Sequence, residues 1–326
     1  MSTTMCNLAP PLVPVKRLEP MQMPVIDFSK LHQTSKSRSL VIREIATACR
    51  DIGCFQVINH GIRKSVMKGA LEVASEFFES SPKSKAKFIS PDITKPVRYN
   101  CSNDGLSKSR SLLKHYAHPL DEWIHFWPQE PPSYREKMGK YAVEIRRVAL
   151  DILDAIFQSL GLHQAYIREK LEQGMKFLAV NSYPQSTKPG VTVGLAPHSD
   201  YDFITLILPS CPGLEVMDHH TKSWKTVLQP SDAIHVHVGD HLEVLSNGIF
   251  RTLVHRAVLN SERSRVSVAS IHGFPMDEKV KSAGELVDEE HPKLYRESSF
   301  KDFLDFLLSR RNNNESYIES LRISTI

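Results

Sequence analysis

The stretch His198-Ser199-Asp200-Tyr201-Asp202-Phe203-Ile204-Thr205-Leu206-Ile207-Leu208 decides the fold, because it joins metal-ligating side chains to a β-strand. Thr205-Leu206-Ile207-Leu208 is the first of several short β-branched or alternating segments. Leu214-Glu215-Val216, Ile234-His235-Val236-His237-Val238 and Val266-Ser267-Val268 follow, separated by turn signals. That texture predicts antiparallel strands closed into a sandwich or barrel. In an extended chain residues i and i+2 project from one face, so His198 and Asp200 can reach one ion while Ser199 points away. His255 lies several strands further on, enough chain to return to a facing position. Two imidazoles and one carboxylate suit Fe(II), and three ligands on one octahedral face leave three positions open.

Upstream the pattern is helical. Residues 1–22 carry Pro10, Pro11, Pro14 and Pro20 and predict a mobile arm or strap. From Ser39 to Gly53 the apolar positions Leu40, Ile42, Ile45, Ala46 and Cys49 recur at near-helical spacing, and Gly53 fits a stop. The strand Cys54-Phe55-Gln56-Val57-Ile58, the turn Asn59-His60-Gly61 and a second helical pattern from Arg63 to Phe78 follow. Residues 80–131 are polar and Pro-interrupted, and read as a long irregular segment of the kind that carries binding loops. Between Pro132 and Gly161 Tyr141, Ile145, Val148, Ile152, Ile156 and Leu160 form one apolar stripe, which predicts a structural helix. The tail from Glu289 returns to helix, with Phe300, Phe303, Leu304, Phe306 and Leu307 packing back on the core. The expected organisation is thus an arm (1–22), a helix-rich region with contributing strands (23–175), a β core (176–280) and a C-terminal helical segment (281–326).

Composition excludes several function classes. The chain has 326 residues, 41% hydrophobic and 24% charged, with mean hydropathy −0.28 and no apolar run long enough for a membrane span. Net charge is +4, but lysines and arginines are dispersed, so no basic stripe points to nucleic acid. There is no GxGxxG and no P-loop, which argues against a nucleotide cofactor. Five irregularly spaced cysteines, Cys6, Cys49, Cys54, Cys101 and Cys211, fit free thiols in a reducing compartment. The N-terminus lacks the basic start and apolar centre of a secretory signal, so a cytoplasmic protein is expected, a monomer since nothing in the sequence requires more, and Asn100-Cys101-Ser102 and Asn314-Glu315-Ser316 read as chance glycosylation matches.

Two open metal positions would accept an α-keto acid through its keto oxygen and C1 carboxylate, leaving its far carboxylate in need of a fixed partner. Arg265 offers a guanidinium fork, Ser267 adds a hydroxyl from the same strand face, and Tyr183 supplies a third donor. His235 and His237 form a rival i, i+2 pair, but no downstream carboxylate and arginine pattern supports them. They read as core or pocket-lining residues, and His219-His220 as an exposed turn.

His198-x-Asp200, His255, Arg265-x-Ser267 and Asn181-x-Tyr183-Pro184, with Val57-Ile58-Asn59-His60-Gly61 upstream, resemble the plant 2-oxoglutarate- and Fe(II)-dependent dioxygenases of specialised metabolism, flavanone hydroxylase and flavonol synthase among them. The resemblance runs from about Pro24 to the C-terminus. It implies an α+β fold whose mainly β core is a double-stranded β-helix, the cupin-like jelly roll, flanked by helices. Matched residue by residue, it implies His198, Asp200 and His255 as iron ligands and Tyr183, Arg265, Ser267 and Asn181 as the 2-oxoglutarate set. It also implies O2 as oxidant, ascorbate as reductant, and decarboxylation of 2-oxoglutarate to succinate and CO2 coupled to hydroxylation of a small metabolite. Desaturation, cyclisation and demethylation use the same residues, whereas Asp200 argues against halogenation, since a halide needs the site the carboxylate fills.

The chain also departs from the family pattern. Asp202 stands where relatives commonly carry a small residue, His237 replaces a common Asn, and the Pro209-Ser210-Cys211-Pro212 turn is short. Ile271 takes a place where flavonoid-oxidising members often present a stacking aromatic, which weakens the case for a flavonoid. Candidate substrate contacts are Tyr99, Tyr116, Phe177, Phe203, Ile271 and Phe274. Two rival readings keep the fold: an oxidase drawing electrons from ascorbate, and a catalytically silent ligand-binding protein.

Overall fold

The structure is a computed structural model describing residues 18–103, 108–162, 164–174, 176–186, 193–309 and 316–323. Cys6, Asn314 and most of the proposed arm lie outside these residues. The last part of the arm is laid down as a strap: the Met21 N–H donates to the Thr226 carbonyl (2.8 Å), and the Thr226 N–H to that of Glu19 (3.0 Å).

The chain then forms β1 (Val25–Asp27), α1 (Ser35–Asp51), β2 (Cys54–Ile58), α2 (Lys64–Glu79) and the short α3 (Pro82–Ala86). Helix α1 starts where the Thr34 hydroxyl accepts from the Ser37 N–H at 3.2 Å, satisfying a donor that has no partner within the helix. It turns Val41, Ile42, Ile45, Ala48 and Cys49 inward. Gly53 (φ +82°) ends this unit, and a Cβ there would lie 2.5 Å from the Arg251 carbonyl oxygen, so only glycine fits. Asn59 and Gly61, both left-handed, make the turn expected before α2.

The segment 80–131 departs from expectation. Instead of a long irregular region it holds β3 (Val97–Asn103) and β4 (Lys108–His118), an antiparallel hairpin that extends the main sheet beside β5 (Lys176–Tyr183). Basic side chains at Arg110 and Lys114 break the apolar alternation by which a strand is ordinarily recognised, and this concealed β4. Between β4 and β5 come α4 (Leu120–Trp123), α5 (Tyr134–Ser159) and α6 (Gln164–Glu172). On α5 Tyr141, Ile145, Val148, Ile152 and Ile156 are fully buried, each large aliphatic contributing about 1.5–3 kcal/mol of transfer free energy. The predicted stripe was therefore the core-facing one.

The remaining strands are β6 (Val193–His198), β7 (Ile204–Pro209), β8 (Leu214–Met217), β9 (Trp224–Thr226) and β10 (Ile234–Val238). After them come α7 (Asp240–Leu245), β11 (His255–Val258), β12 (Arg265–His272), α8 (Phe300–Ser309) and α9 (Tyr317–Leu321). One sheet runs β1-β2-β10-β7-β12-β5-β4-β3 and the other β6-β11-β8-β9, with β1–β2 the only parallel pair among these strands. Helices α1, α2 and α5 pack on strands of the large sheet, and its opposite face looks towards the small sheet across a cavity. This is the jelly roll with flanking helices that the sequence pointed to. β7 and β10 are buried along their whole lengths, as strands covered on both faces must be. On β12 the alternation is explicit: Arg265, Ser267, Ala269 and Ile271 line the cavity, with Val266, Val268, Ser270 and His272 between them.

Candidate active site

His198 ends β6 and His255 begins β11, and the two are direct cross-strand partners with ring centroids 4.3 Å apart. Asp200 sits just past the end of β6, in the loop leading to β7, rather than within the strand. Its neighbour Ser199 turns away, as expected, and donates to Asp240 Oδ2 at 3.2 Å. The loop is held from below by α7, where the Asp240 N–H donates to the Asp200 carbonyl (2.8 Å) and the His241 N–H to that of Tyr201 (3.1 Å). Such close approach requires Gly239, because a Cβ there would lie 2.0 Å from the Asp202 carbonyl oxygen.

Asp200 Oδ1 lies 3.9 Å from His198 Nε2 and 4.0 Å from His255 Nε2. One ligand atom from each of the three residues falls within 4.8 Å of the others. The Nδ1 atoms face carbonyls two residues back, Ala196 at 2.8 Å and Leu253 at 3.2 Å. A carbonyl can only accept, so each Nδ1 carries the proton and each Nε2 directs a lone pair at the common centre. Burial and the adjacent His255 pull the His198 pKa down to about 4, leaving the neutral, metal-binding form at pH 7. Asp200 Oδ2 is buried without a hydrogen-bond partner. A nitrogen-rich donor set with one carboxylate, converging and underused, fits Fe(II).

Behind this cluster His237, on β10, is fully buried, its ring 4.5 Å from that of His255 and its Nδ1 4.0 Å from Asp200 Oδ2. Neither of its nitrogens has another partner, and burial holds its pKa well below the ordinary value. His235 is core, flanked by Gln56 and Gln229. His219 is half-buried rather than exposed, so of that pair only His220 lies in solvent.

At one end of the cavity Arg265 is buried on β12, with Nε donating to the Cys211 carbonyl (3.1 Å) and Nη1 to Ser267 Oγ (3.4 Å). Its guanidinium carbon is 5.3 Å from the ring of Tyr183, its cross-strand partner on β5. Among the described ion pairs no acidic side chain meets it. Asn181, opposite Ser267, also lines the cavity, but its own groups are taken: Oδ1 accepts from Arg110 Nε (2.8 Å) and Nδ2 donates to the Ala179 carbonyl (3.0 Å).

The cavity holds about 540 Å³, within the usual range for a small ligand. Phe177 and Ile271 form part of its wall. Tyr99, Tyr116, Phe203 and Phe274 are absent from that wall because each is engaged elsewhere. Tyr99 packs against Phe77 and Phe78, the Tyr116 hydroxyl donates to the Thr94 carbonyl (3.2 Å), and Phe203 packs between Phe157 and Phe274. What sequence reasoning missed is the opposite wall. Arg98, Arg110 and Lys114 from the hairpin reach the cavity, as do Phe300 and Phe303 from α8 and Tyr317 from α9. The period-two pattern Arg110-x-Leu112-x-Lys114 was the available signal for the first group.

Comparisons agree with this geometry. A family profile described as non-haem dioxygenase in morphine synthesis N-terminal matches residues 23–138, and one described as 2OG-Fe(II) oxygenase superfamily matches residues 175–273. 2-Oxoglutarate-dependent dioxygenase 21, chloroplastic, of Oryza sativa subsp. japonica is 57% identical over 97% of this chain and 95% of its own length. Flavanone 3-dioxygenase 3 of the same plant is 52% identical over 99% of this chain and 100% of its own. The crystal structure of JOX2 in complex with 2OG, Fe and JA superposes with TM-score 0.82 at 27% identity, covering 98% and 96% of the two chains. The chain therefore belongs to the 2OG-Fe(II) oxygenase superfamily and is a plant-type 2-oxoglutarate-dependent dioxygenase using Fe(II), 2-oxoglutarate and O2.

Proposed function

We propose that His198, Asp200 and His255 hold the iron, and that Arg265, Ser267 and Tyr183 hold the far carboxylate of 2-oxoglutarate. The observation that carries this reading is Arg265: a buried guanidinium with no acidic partner is costly unless an anion completes it. Ser267 Oγ and Tyr183 flank it on the same cavity face, so the carboxylate would be met by a charge-assisted fork and neighbouring hydroxyls. Asn181 has the different task of fixing Arg110 in the wall. His237 acts as a positioning residue, since a small closure of the 4.0 Å gap lets its Nδ1–H donate to the spare oxygen of Asp200. Bound to the three ligands, iron supplies the oxidation that couples loss of CO2 from 2-oxoglutarate to attack on a C–H bond.

The substrate we infer is a small, largely apolar plant metabolite seated among Phe177, Ile271, Phe300 and Phe303, and hydroxylation is the simplest outcome. Anaerobic titration with Fe(II) and then 2-oxoglutarate tests the site. A saturable visible charge-transfer band supports it, and iron binding without the band contradicts the cosubstrate assignment. We further propose a cytoplasmic monomer. No helix among the described residues is long and apolar enough to cross a membrane, and Cys49, Cys54 and Cys211 are free and buried. The rice relative's name carries a chloroplast location, so plastid import of a fluorescent fusion is the result that would overturn the compartment. Gel filtration at twice the monomer mass would overturn the oligomeric state.

A further inference from the structure

On the far cavity wall the Lys114 ammonium has neither an ion pair nor a hydrogen bond among the described residues, and it is more deeply buried than Arg98 beside it. Lys114 is only 9% exposed. Its Nζ stands 4.1 Å from the Phe177 ring centroid, 5.1 Å from that of Phe300 and 5.8 Å from that of Tyr116. Arg98, its cross-strand neighbour, and Arg110 add positive charge, whereas the acids lining the cavity, Asp200 and Asp240, stand at the metal end. Rings this close favour a cation by about 0.5–2 kcal/mol, which does not replace the water that an ammonium loses on burial. Burial first and the neighbouring Arg98 second pull the Lys114 pKa down to about 7.

The sheet register separates this position from Arg265. Lys114 is level with Ala179 and Ala269, and Arg265 with Tyr183, four residues further along β5 and β12, or about 13 Å. Arg265 is itself held at its own level by the Cys211 carbonyl and Ser267, so the far carboxylate of 2-oxoglutarate would be met there and an anion at Lys114 would be a second ligand. At the Lys114 level Ala179 and Ala269 keep the floor low, and Asn181 and Ser267 stand between it and Arg265.

Building on the site assignment above, we propose that Lys114 is a substrate-recognition residue and that the substrate is an aromatic or similarly apolar carboxylic acid. Its carboxylate pairs with the Lys114 ammonium, and its apolar body lies against Phe177, Phe300 and Ile271 with a C–H bond directed at the metal end.

The test is calorimetric titration of the full chain, loaded anaerobically with Fe(II) and saturating 2-oxoglutarate so that Arg265 is occupied. The probes are benzoate, phenylacetate and cinnamate, each beside its methyl ester. For the best-fitting pair the acid should bind at least about tenfold tighter than the ester, as a desolvated charge-assisted bond implies. The ratio should fall to within about threefold in Lys114→Met and persist in Lys114→Arg, as expected if a cation at this position is what selects the acid. Ester binding as tight as acid, an acid preference that survives Lys114→Met, or no binding of any of the three acids would each overturn the proposal. The charge-transfer band keeps the two readings apart. Its loss in the parent protein counts against the cosubstrate site, whereas an intact band with no acid preference counts against Lys114 alone. An unchanged melting temperature, or a raised one, shows that Lys114→Met still folds.

Discussion

The two ends of the cavity each hold a buried cation, and they hold it differently. Arg265 is locked by the Cys211 carbonyl, Ser267 and the ring of Tyr183, so its fork is aimed before any ligand arrives. Lys114 has aromatic faces and Arg98 around it, and among the described residues no hydrogen bond fixes its direction. The first arrangement suits a cosubstrate of constant shape, since preorganisation removes the ordering cost of binding. The second suits a variable partner, because a flexible stem with three rotatable donors can follow the ligand. The two cations share one cavity, four residues apart in sheet register.

The strongest way to break this contrast is to remove the centre on which both ends converge. His255→Ala should abolish turnover and the charge-transfer band, because two remaining ligands no longer define a facial site. Measured succinate release at the parental rate would sink the metal assignment. Next in size is Arg265→Ala, which should raise the 2-oxoglutarate concentration needed for the band by roughly 30- to 5000-fold, from the about 2–5 kcal/mol lost when a buried charge pair is truncated. Fe(II) affinity should stay within about threefold, since Arg265 donates to Cys211 and Ser267 rather than to any ligand. His237→Leu should be milder, weakening Fe(II) about tenfold while leaving 2-oxoglutarate affinity on the loaded enzyme nearly intact.

The last test sharpens the comparison most, because it is read without ligand and depends on pH. With the folded pKa of Lys114 near 7 and its ordinary value at 10.5, the unfolded chain binds more protons than the folded one between those limits. Stability therefore rises with pH across this window, and the penalty for the buried ammonium is full below about pH 7. Lys114→Met should accordingly melt higher than the parent at pH 6–7, with the gain shrinking as pH approaches 10. A gain independent of pH would mean that the ammonium is already compensated in the ligand-free protein.

Much of the metal end was legible in the chain. Arg265-x-Ser267 carries its geometry in the spacing, since i and i+2 share a face in extended backbone, whereas His198-x-Asp200 was legible as two donors close in sequence, with Asp200 placed by the loop after β6. The stripe on α5 and the stop at Gly53 were legible for the same local reason. The hairpin β3–β4 was not. Its cavity face carries Arg98, Arg110 and Lys114, so the apolar alternation that marks a half-buried strand is missing there.

Sequence by itself determined the reaction class, because the ligand types and their strand spacing are local properties of short segments. Only the tertiary structure decided which aromatics meet the substrate space. Tyr99, Tyr116, Phe203 and Phe274 were plausible by composition, yet packing turned them elsewhere, whereas α8 brought Phe300 and Phe303 over a wall built from β4 and β5. Lys114 meets Phe300 across 186 residues of chain, and no periodicity within a segment encodes such an encounter; it follows from how sheets and helices close around one core.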